Sequence, residues 1–215
     1  MRSGVLAVLL ALSSAALTQG ADVGLVNLVT GDVSFVSASG PPTKAQAFMK
    51  VRDGDRFSLS AGAQLRVVFF DGARQERWVG PASFRATKEG STPIAGKPAE
   101  VAVLPAGVQQ RIARVPELIQ YARLGGIQVR GGLTRQQKAG LEQQESIRAA
   151  RATYAQMQRE MPADDITPEL YLYAALYEFL MYDEMKAVVA EMRRKQPENE
   201  DLKALEAWVT TRASR

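Results

Sequence analysis

Up to about residue 104 the hydrophobic pattern has a short period and is interrupted often. Between Val51 and Phe84 the apolar positions alternate or run together: Phe57, Leu59, Leu65, Val67, Val68, Phe69, Phe70, Trp78 and Val79. Asp53-Gly54-Asp55, Ala61-Gly62-Ala63, Asp71-Gly72 and Gly80-Pro81 cut this run into pieces. Such punctuation predicts short strands over Phe57–Ser60, Gln64–Phe70, Gln75–Val79 and Ala82–Thr87, with Asp71-Gly72 as a tight hairpin turn in which glycine takes a positive φ. Val23–Val29 and Val33–Val36 flank Thr30-Gly31-Asp32, a second hairpin signal. Glu89–Pro98, with Gly90, Pro93, Gly96 and Pro98, reads as a loop, and Val101–Leu104 as a closing strand. Many short strands at regular spacing predict an all-β sandwich or roll.

The pattern changes near residue 130. Val115–Arg130 is ambiguous: Glu117–Leu124 could open a short helix after Pro116, and Gly125-Gly126 and Gly131-Gly132 read as linker. Thr134–Met161 is rich in Gln, Ala, Arg and Glu, all good helix formers, and Leu141, Ile147, Tyr154 and Met157 give it a thin apolar stripe. Thr167-Pro168 starts a new and unusually apolar helix, with Thr as N-cap and Pro at the first helical position. Asp183 to about Lys195 is the next helix, and Leu202, Leu205, Ala207, Trp208 and Val209 mark a last one. The expected class is α+β: residues 1–20 a signal peptide, 21–112 a β domain, 113–132 a linker and 133–215 a helical region.

Composition narrows the function classes. Arg2, the apolar run Val5–Leu12 and the small residues up to Gly20 form the pattern of a secretory signal peptide, and cleavage after Gly20 would leave 195 residues. Leu170–Tyr182, the most apolar later stretch, is shorter than the roughly 20 residues a membrane span needs and contains Glu178. The mature chain is therefore expected to carry no transmembrane segment. Cysteine and histidine are both absent, which removes disulfides, thiol catalysis, a histidine base and the usual zinc ligands. Export without cysteine suits a bacterial periplasm. Residues 21–130 carry 14 Lys and Arg against 9 Asp and Glu, and residues 131–215 carry 12 against 14. The basic residues are scattered and have no interleaved aromatics, so no nucleic-acid partner is expected.

Two families share motifs with the chain. Residues 23 to 104 resemble the FecR domain. The motifs are the hairpin Val29 to Val33, Gly54-Asp55 before a strand, Ala61-Gly62-Ala63, the apolar strand Leu65 to Phe70, Asp71-Gly72 and the strand Arg77 to Val79. The resemblance implies a periplasmic β-rich module. FecR signalling proteins carry a cytoplasmic segment and a membrane helix ahead of that module. The expected signal peptide takes the place of those segments here, so the resemblance is not expected to extend to sigma-factor contact. Residues 166 to 199 resemble a tetratricopeptide hairpin, a helix-turn-helix unit of about 34 residues, with Leu172 and Leu176 on the first helix, Tyr182 and Met185 at the turn, and Pro197 closing it. Met185 and Tyr173 stand where that family prefers small residues. One such repeat cannot bury its own face, so neighbouring helices must cover it.

Candidate chemistry is sparse. Asp53, Asp55 and Asp71 lie at turn spacing and lack the pattern of converging calcium ligands. Asp164-Asp165 complements the positive start of a helix. Tyr171, Tyr173, Tyr177, Phe179 and Tyr182 form the densest aromatic cluster, with Tyr173 and Tyr177 on one helical face as candidate partner anchors or core residues. The expected function is a non-catalytic interaction, accessory or sensor module of the cell envelope, with no catalytic, metal or cofactor-binding residues and a protein partner. One alternative is a glycan- or peptidoglycan-binding module with Trp78 as a sugar-stacking platform. The other is a carboxylate hydrolase, which would need two acids about 5 to 10 Å apart in a cleft.

Overall fold

A computed structural model describes residues 21–37, 40–124 and 141–214. The predicted signal peptide, residues 125–132 of the predicted linker and the start of the helix expected from Thr134 lie outside the described residues. The strands are β1 Asp22–Thr30, β2 Val33–Val36, β3 Thr43–Lys44, β4 Lys50–Arg52, β5 Arg56–Leu59, β6 Gln64–Phe69, β7 Arg74–Val79, β8 Ala82–Ala86, β9 Ser91–Ala95 and β10 Glu100–Val103. The helices are α1 Val108–Ile112, α2 Val115–Arg123, α3 Leu141–Glu160, α4 Thr167–Glu178, α5 Tyr182–Lys195 and α6 Glu200–Ala213. The class is α+β, with two antiparallel sheets of five strands each followed by helices.

The first sheet has the order β10-β7-β6-β1-β4 and the second β3-β2-β5-β8-β9. Both faces of the first sheet are covered over its central strands β6 and β1. Val23, Val26, Val51, Leu65, Val67, Phe69 and Trp78 share one buried cluster with Val33, Phe57, Leu59, Ala82, Phe84 and Ala86 of the second sheet. Leu25 and Val68 belong to a different cluster, with Val108, Ile112, Ile119, Ile166, Leu170 and Leu176 of the helices. Side chains along a strand alternate between faces, so a strand covered on both sides is apolar at successive positions. That is why Leu65 to Phe70 runs apolar almost without a break. Leu65, Val67 and Phe69 serve the inner face between the sheets. Val68 serves the outer face toward the helices, and Arg66 shares that side by the same alternation.

Several local expectations are corrected. β1 and β2 do not form a hairpin: β1 pairs with β4 and β6, and β2 with β3 and β5, so the chain crosses between sheets at Gly31. Gly31 has φ 74°, and a Cβ there would approach the Ala63 Cα to 3.0 Å, so the corner needs glycine twice over. β6 and β7 do pair across the Asp71-Gly72 connection, with Phe69 opposite Arg74. The positive φ there belongs to Ala73; a Cβ on Gly72 would lie 1.9 Å from the Glu89 carbonyl oxygen, so this glycine permits a close approach. Within the expected loop Glu89–Pro98 lies β9. Its Pro93 is tolerated because β9 is an edge strand and one of its sides needs no donor. The short helix allowed after Pro116 within the expected linker is present as α2, with Pro116 in its first turn.

Among the helices, α4 touches α1, α3 and α5, α5 touches α6, and α6 touches α2. Every residue of α4 from Thr167 to Leu176 is buried. A helix apolar all round belongs in the middle of a cluster, and α4 takes that place.

Candidate functional site

Of the three residues expected to meet a partner, two are interior. Trp78 on β7 is 0% exposed. Its ring stacks on Phe84 at 4.6 Å, Phe84 stacks on Phe57 at 5.1 Å, and Phe57 on Phe35 at 5.8 Å. The indole Nε1 donates to Glu76 Oε2 at 3.1 Å. Trp78 lies on the inner face of the first sheet, so it has no free ring face for a sugar. Tyr173 is also fully buried, because it sits on the central helix α4. Burial pushes its hydroxyl well above the ordinary tyrosine range, and among the described residues the hydroxyl has no hydrogen-bond partner.

Tyr177, one turn further along α4, is half-buried. Its ring centre lies 6.0 Å from that of Trp208 on α6, and Tyr182, at the start of α5, meets the same indole edge-on at 5.9 Å. The Arg212 guanidinium lies over Trp208 at 5.8 Å. The pairs Tyr173/Tyr177 and Trp208/Arg212 are each four residues apart, so each shares one helical face. Trp208 Nε1, like the Tyr173 hydroxyl, is buried without a hydrogen bond. Together α4, α5 and α6 build an aromatic cluster around the buried Trp208, with half-buried Tyr177, Tyr182 and Arg212 at its rim. At the other face of α4, Tyr171 accepts from Arg111 Nη1 at 2.8 Å and so ties α1 to this helix.

A second constellation joins the first sheet to the helices. β1, β6 and β7 present Asn27, Arg66 and Gln75 toward α4, and all three are buried. Asn27 lies where the β1–β6 register shifts between Val26 and Leu28, and such a bulge re-aims a side chain. Its amide donates to Gln75 Oε1 at 3.1 Å and to the Thr167 hydroxyl, which itself donates to Gln75 Oε1. The Gln75 amide donates to Asp165, whose other oxygen accepts the Thr167 backbone N–H at 2.8 Å. Thr167 was expected to cap α4. Instead it is the first residue of the helix, Asp165 satisfies its N–H, and its hydroxyl faces the sheet.

Each charge of this joint lies beside an opposite one. Arg66 Nη2 lies 3.3 Å from Asp164, and Arg66 Nη1 lies 3.7 Å from Asp165. Lys195 at the end of α5 pairs with Glu169 at 2.8 Å and donates to the Asp165 carbonyl at 2.9 Å. Gln196 reaches back to the Asn27 carbonyl at 3.1 Å. From α3, Tyr154 and Gln158 donate to Glu169. Burial, and then Glu169, push the Tyr154 hydroxyl above the ordinary range. Among the described residues, no hydrogen bond reaches the buried Asn27 Oδ1, Arg66 Nη1 or Glu169 Oε2. Asp165 and Glu169 are 0% exposed, so in this conformation neither meets a substrate as a hydrolytic acid would. The arrangement binds six elements to one another.

Among the turn carboxylates, Asp55 accepts the Arg52 backbone N–H at 2.9 Å, and burial raises its carboxyl above the usual carboxylate range. No group of three or more acidic residues able to hold a metal ion occurs among the described residues, and none of their helices is long and apolar enough to cross a membrane. The joint was scarcely legible: Asn27 and Arg66 are polar residues among apolar neighbours in their strands, and Gln75 sits in the polar run Arg74–Arg77, so each could equally face water. In sequence and structure comparisons, no family model, curated protein or solved structure matched the chain.

Proposed function

We propose that the protein is an exported, non-catalytic interaction module of the bacterial cell envelope, a β-sandwich of FecR-like kind carrying a TPR-like helical hairpin. The observation that carries this reading is the half-buried rim of Tyr177, Tyr182 and Arg212 around the buried indole of Trp208. Tyrosine, tryptophan and arginine are the residues that dominate protein interfaces, because they bury much area at low entropic cost and offer polar tips. The buried joint supports the same reading, since it holds the helices at one orientation to the sheets. The hairpin reading is supported by the cover that α3 gives α4 and α6 gives α5, the neighbours a single repeat needs. Trp78 plays no part in partner contact.

The test is a photo-crosslinking side chain placed at position 177 in living cells, with the same group at exposed Lys203 as the control. A discrete protein adduct from position 177 alone is expected, recovered from the periplasmic fraction. Tyr177→Phe should retain capture, and Tyr177→Ala should weaken it by about tenfold or more, the usual loss at an interface anchor. Equal adducts at both positions, or an exclusively cytoplasmic protein, would sink the reading.

A further inference from the structure

The two sheets treat their cations differently. In the first sheet every strand cation lies beside a carboxylate: Lys50 and Arg52 beside Asp22, Arg66 beside Asp164 and Asp165, Arg74 beside Glu76, and Arg77 beside Glu100. The strands of the second sheet carry three cations, Lys44, Arg56 and Arg85, and no acidic residue. All three are exposed, and among the described residues none has an ion-pair partner.

Strand pairing sets these cations in two rows. Lys44, Ser34, Ser58 and Ser83 stand side by side across β3, β2, β5 and β8, and Val36, Arg56, Arg85 and Thr92 across β2, β5, β8 and β9. Phe57, Leu59, Ala82 and Phe84 belong to the core between the sheets, so alternation turns both rows outward. The helices pack on the first sheet and leave this face open. Arg56 directly opposite Arg85 is a like-charge cross-strand pair, which destabilises the bare sheet. An anion bridging the two guanidinium groups removes that repulsion.

We propose that this outer face binds an extended acidic polysaccharide, with sugar carboxylates on Arg56, Arg85 and Lys44 and sugar hydroxyls on the serine row. Arginine takes a carboxylate through two parallel N–H donors, and a serine hydroxyl both donates and accepts, as a sugar hydroxyl does. Adjacent strands are about 4.7–4.9 Å apart, close to the length of one sugar in an extended β-linked chain. A chain laid across the strands therefore meets one polar group per sugar. Other polyanions fit less well. No aromatic ring stands in either row, so the bases of a single-stranded nucleic acid find no stacking platform. Basic clusters that hold a protein to anionic lipid have about four to eight Lys and Arg, and this face has three.

The test is titration calorimetry of the whole protein with polymannuronate, a β-linked acidic polysaccharide. Neutral mannan of the same linkage, oligothymidylate and phosphatidylglycerol vesicles are the comparisons. Polymannuronate should bind at low salt, and each of the others at least about tenfold more weakly. Arg56→Ala and Arg85→Ala should each weaken binding by about tenfold, the loss of a charged hydrogen-bonded contact. Without polymer, the melting temperature of both variants should hold or rise, because the like-charge pair is gone. Ser58→Ala should weaken binding by about fivefold, an effect that charge attraction alone does not produce. Lys203→Ala on α6 should bind as the wild type does. Absence of polymannuronate binding, neutral mannan bound as tightly, or arginine or serine variants that bind unchanged would overturn the proposal. So would oligothymidylate or vesicles bound as tightly through the same arginines. Crosslinking at position 177 reads a different face, so the two readings fail separately.

Discussion

The two faces of the first sheet come from the same strands, yet they are built differently. The inner face is mostly apolar, ends in the stack of Trp78, Phe84 and Phe57, and holds one buried carboxylate, Glu76, paired with Arg74 at 2.7 Å. The outer face mixes Leu25 and Val68 with Asn27, Arg66 and Gln75. Apolar contact is strong and non-directional, so the inner face supplies adhesion between the sheets. Hydrogen bonds and buried ion pairs add less net energy but tolerate few geometries. The outer face therefore sets where the helices sit. Sheet against sheet needs less of this, because period-two alternation and the corner at Gly31 already restrict how they meet.

The sharpest break of the inner face is Trp78→Ala. It should cost about 3–5 kcal/mol in urea unfolding, the range for a large aromatic lost from a core, and it leaves Glu76 without the indole donor. A loss under about 1 kcal/mol would mean that the face is not a packed core. On the outer face, Lys195→Met strands Glu169 as a buried charge and should cost about 3 kcal/mol or more. Pairing it with Glu169→Leu should recover much of that loss, which separates the penalty of an unpaired charge from the worth of the pair. If the double variant is no better than the single, the pair itself is the stabilising element.

Gln75→Leu should cost about 1–3 kcal/mol, since Asn27, Thr167 and Asp165 each lose a partner at once. Its distinguishing signature is faster amide exchange in α4 than in β6, because the joint loosens while the inner face stays packed. Uniform acceleration would contradict the division of labour between the faces.

The alkaline limb tests the same region. Tyr154 and Tyr173 hold their protons more tightly when folded, through burial and, at Tyr154, the charge of Glu169. Below about pH 10 both states keep these protons and the stability is intact. Above it the unfolded chain releases them and the folded chain does not, so stability falls as pH rises. Tyr154→Phe should make that fall shallower in denaturation curves between pH 9 and pH 11, a range of about one unit on each side of the free tyrosine value. The smallest effect is expected at Arg151–Glu184, an exposed pair at 2.6 Å between α3 and α5. Arg151→Ala should change stability by under about 0.5 kcal/mol in the same assay. A larger loss would show that surface charge, as well as the joint, holds these helices.

The strands were legible because glycine turns and apolar spacing are local signals. Gln64–Phe70 and Gln75–Val79 were expected as strands and are β6 and β7, and the apolar helix after Thr167 is α4. β9 was missed because Gly90, Pro93, Gly96 and Pro98 give an edge strand the composition of a loop. The joint was not legible because its partners are far apart in sequence: Asn27 and Thr167 are 140 positions apart, and Gln75 and Asp165 are 90 apart. Tyr173 and Trp78 were open to misreading for a related reason. An aromatic residue with a polar tip has the same spacing whether it anchors a partner or fills a core.

By itself the sequence determined where the longer strands and helices form, since φ/ψ sterics, proline and glycine placement and side-chain period act over a few residues. It also determined that β6 would be apolar on successive positions. Only the tertiary structure decided what those positions face. Burial of Asn27, Arg66, Gln75, Asp165 and Glu169 is favourable only when all their partners arrive together, and no segment contains them all. The tertiary structure likewise buried Trp78 and left Val101 and Val103 at an open edge, because exposure belongs to packed layers and not to the strand that carries the residue.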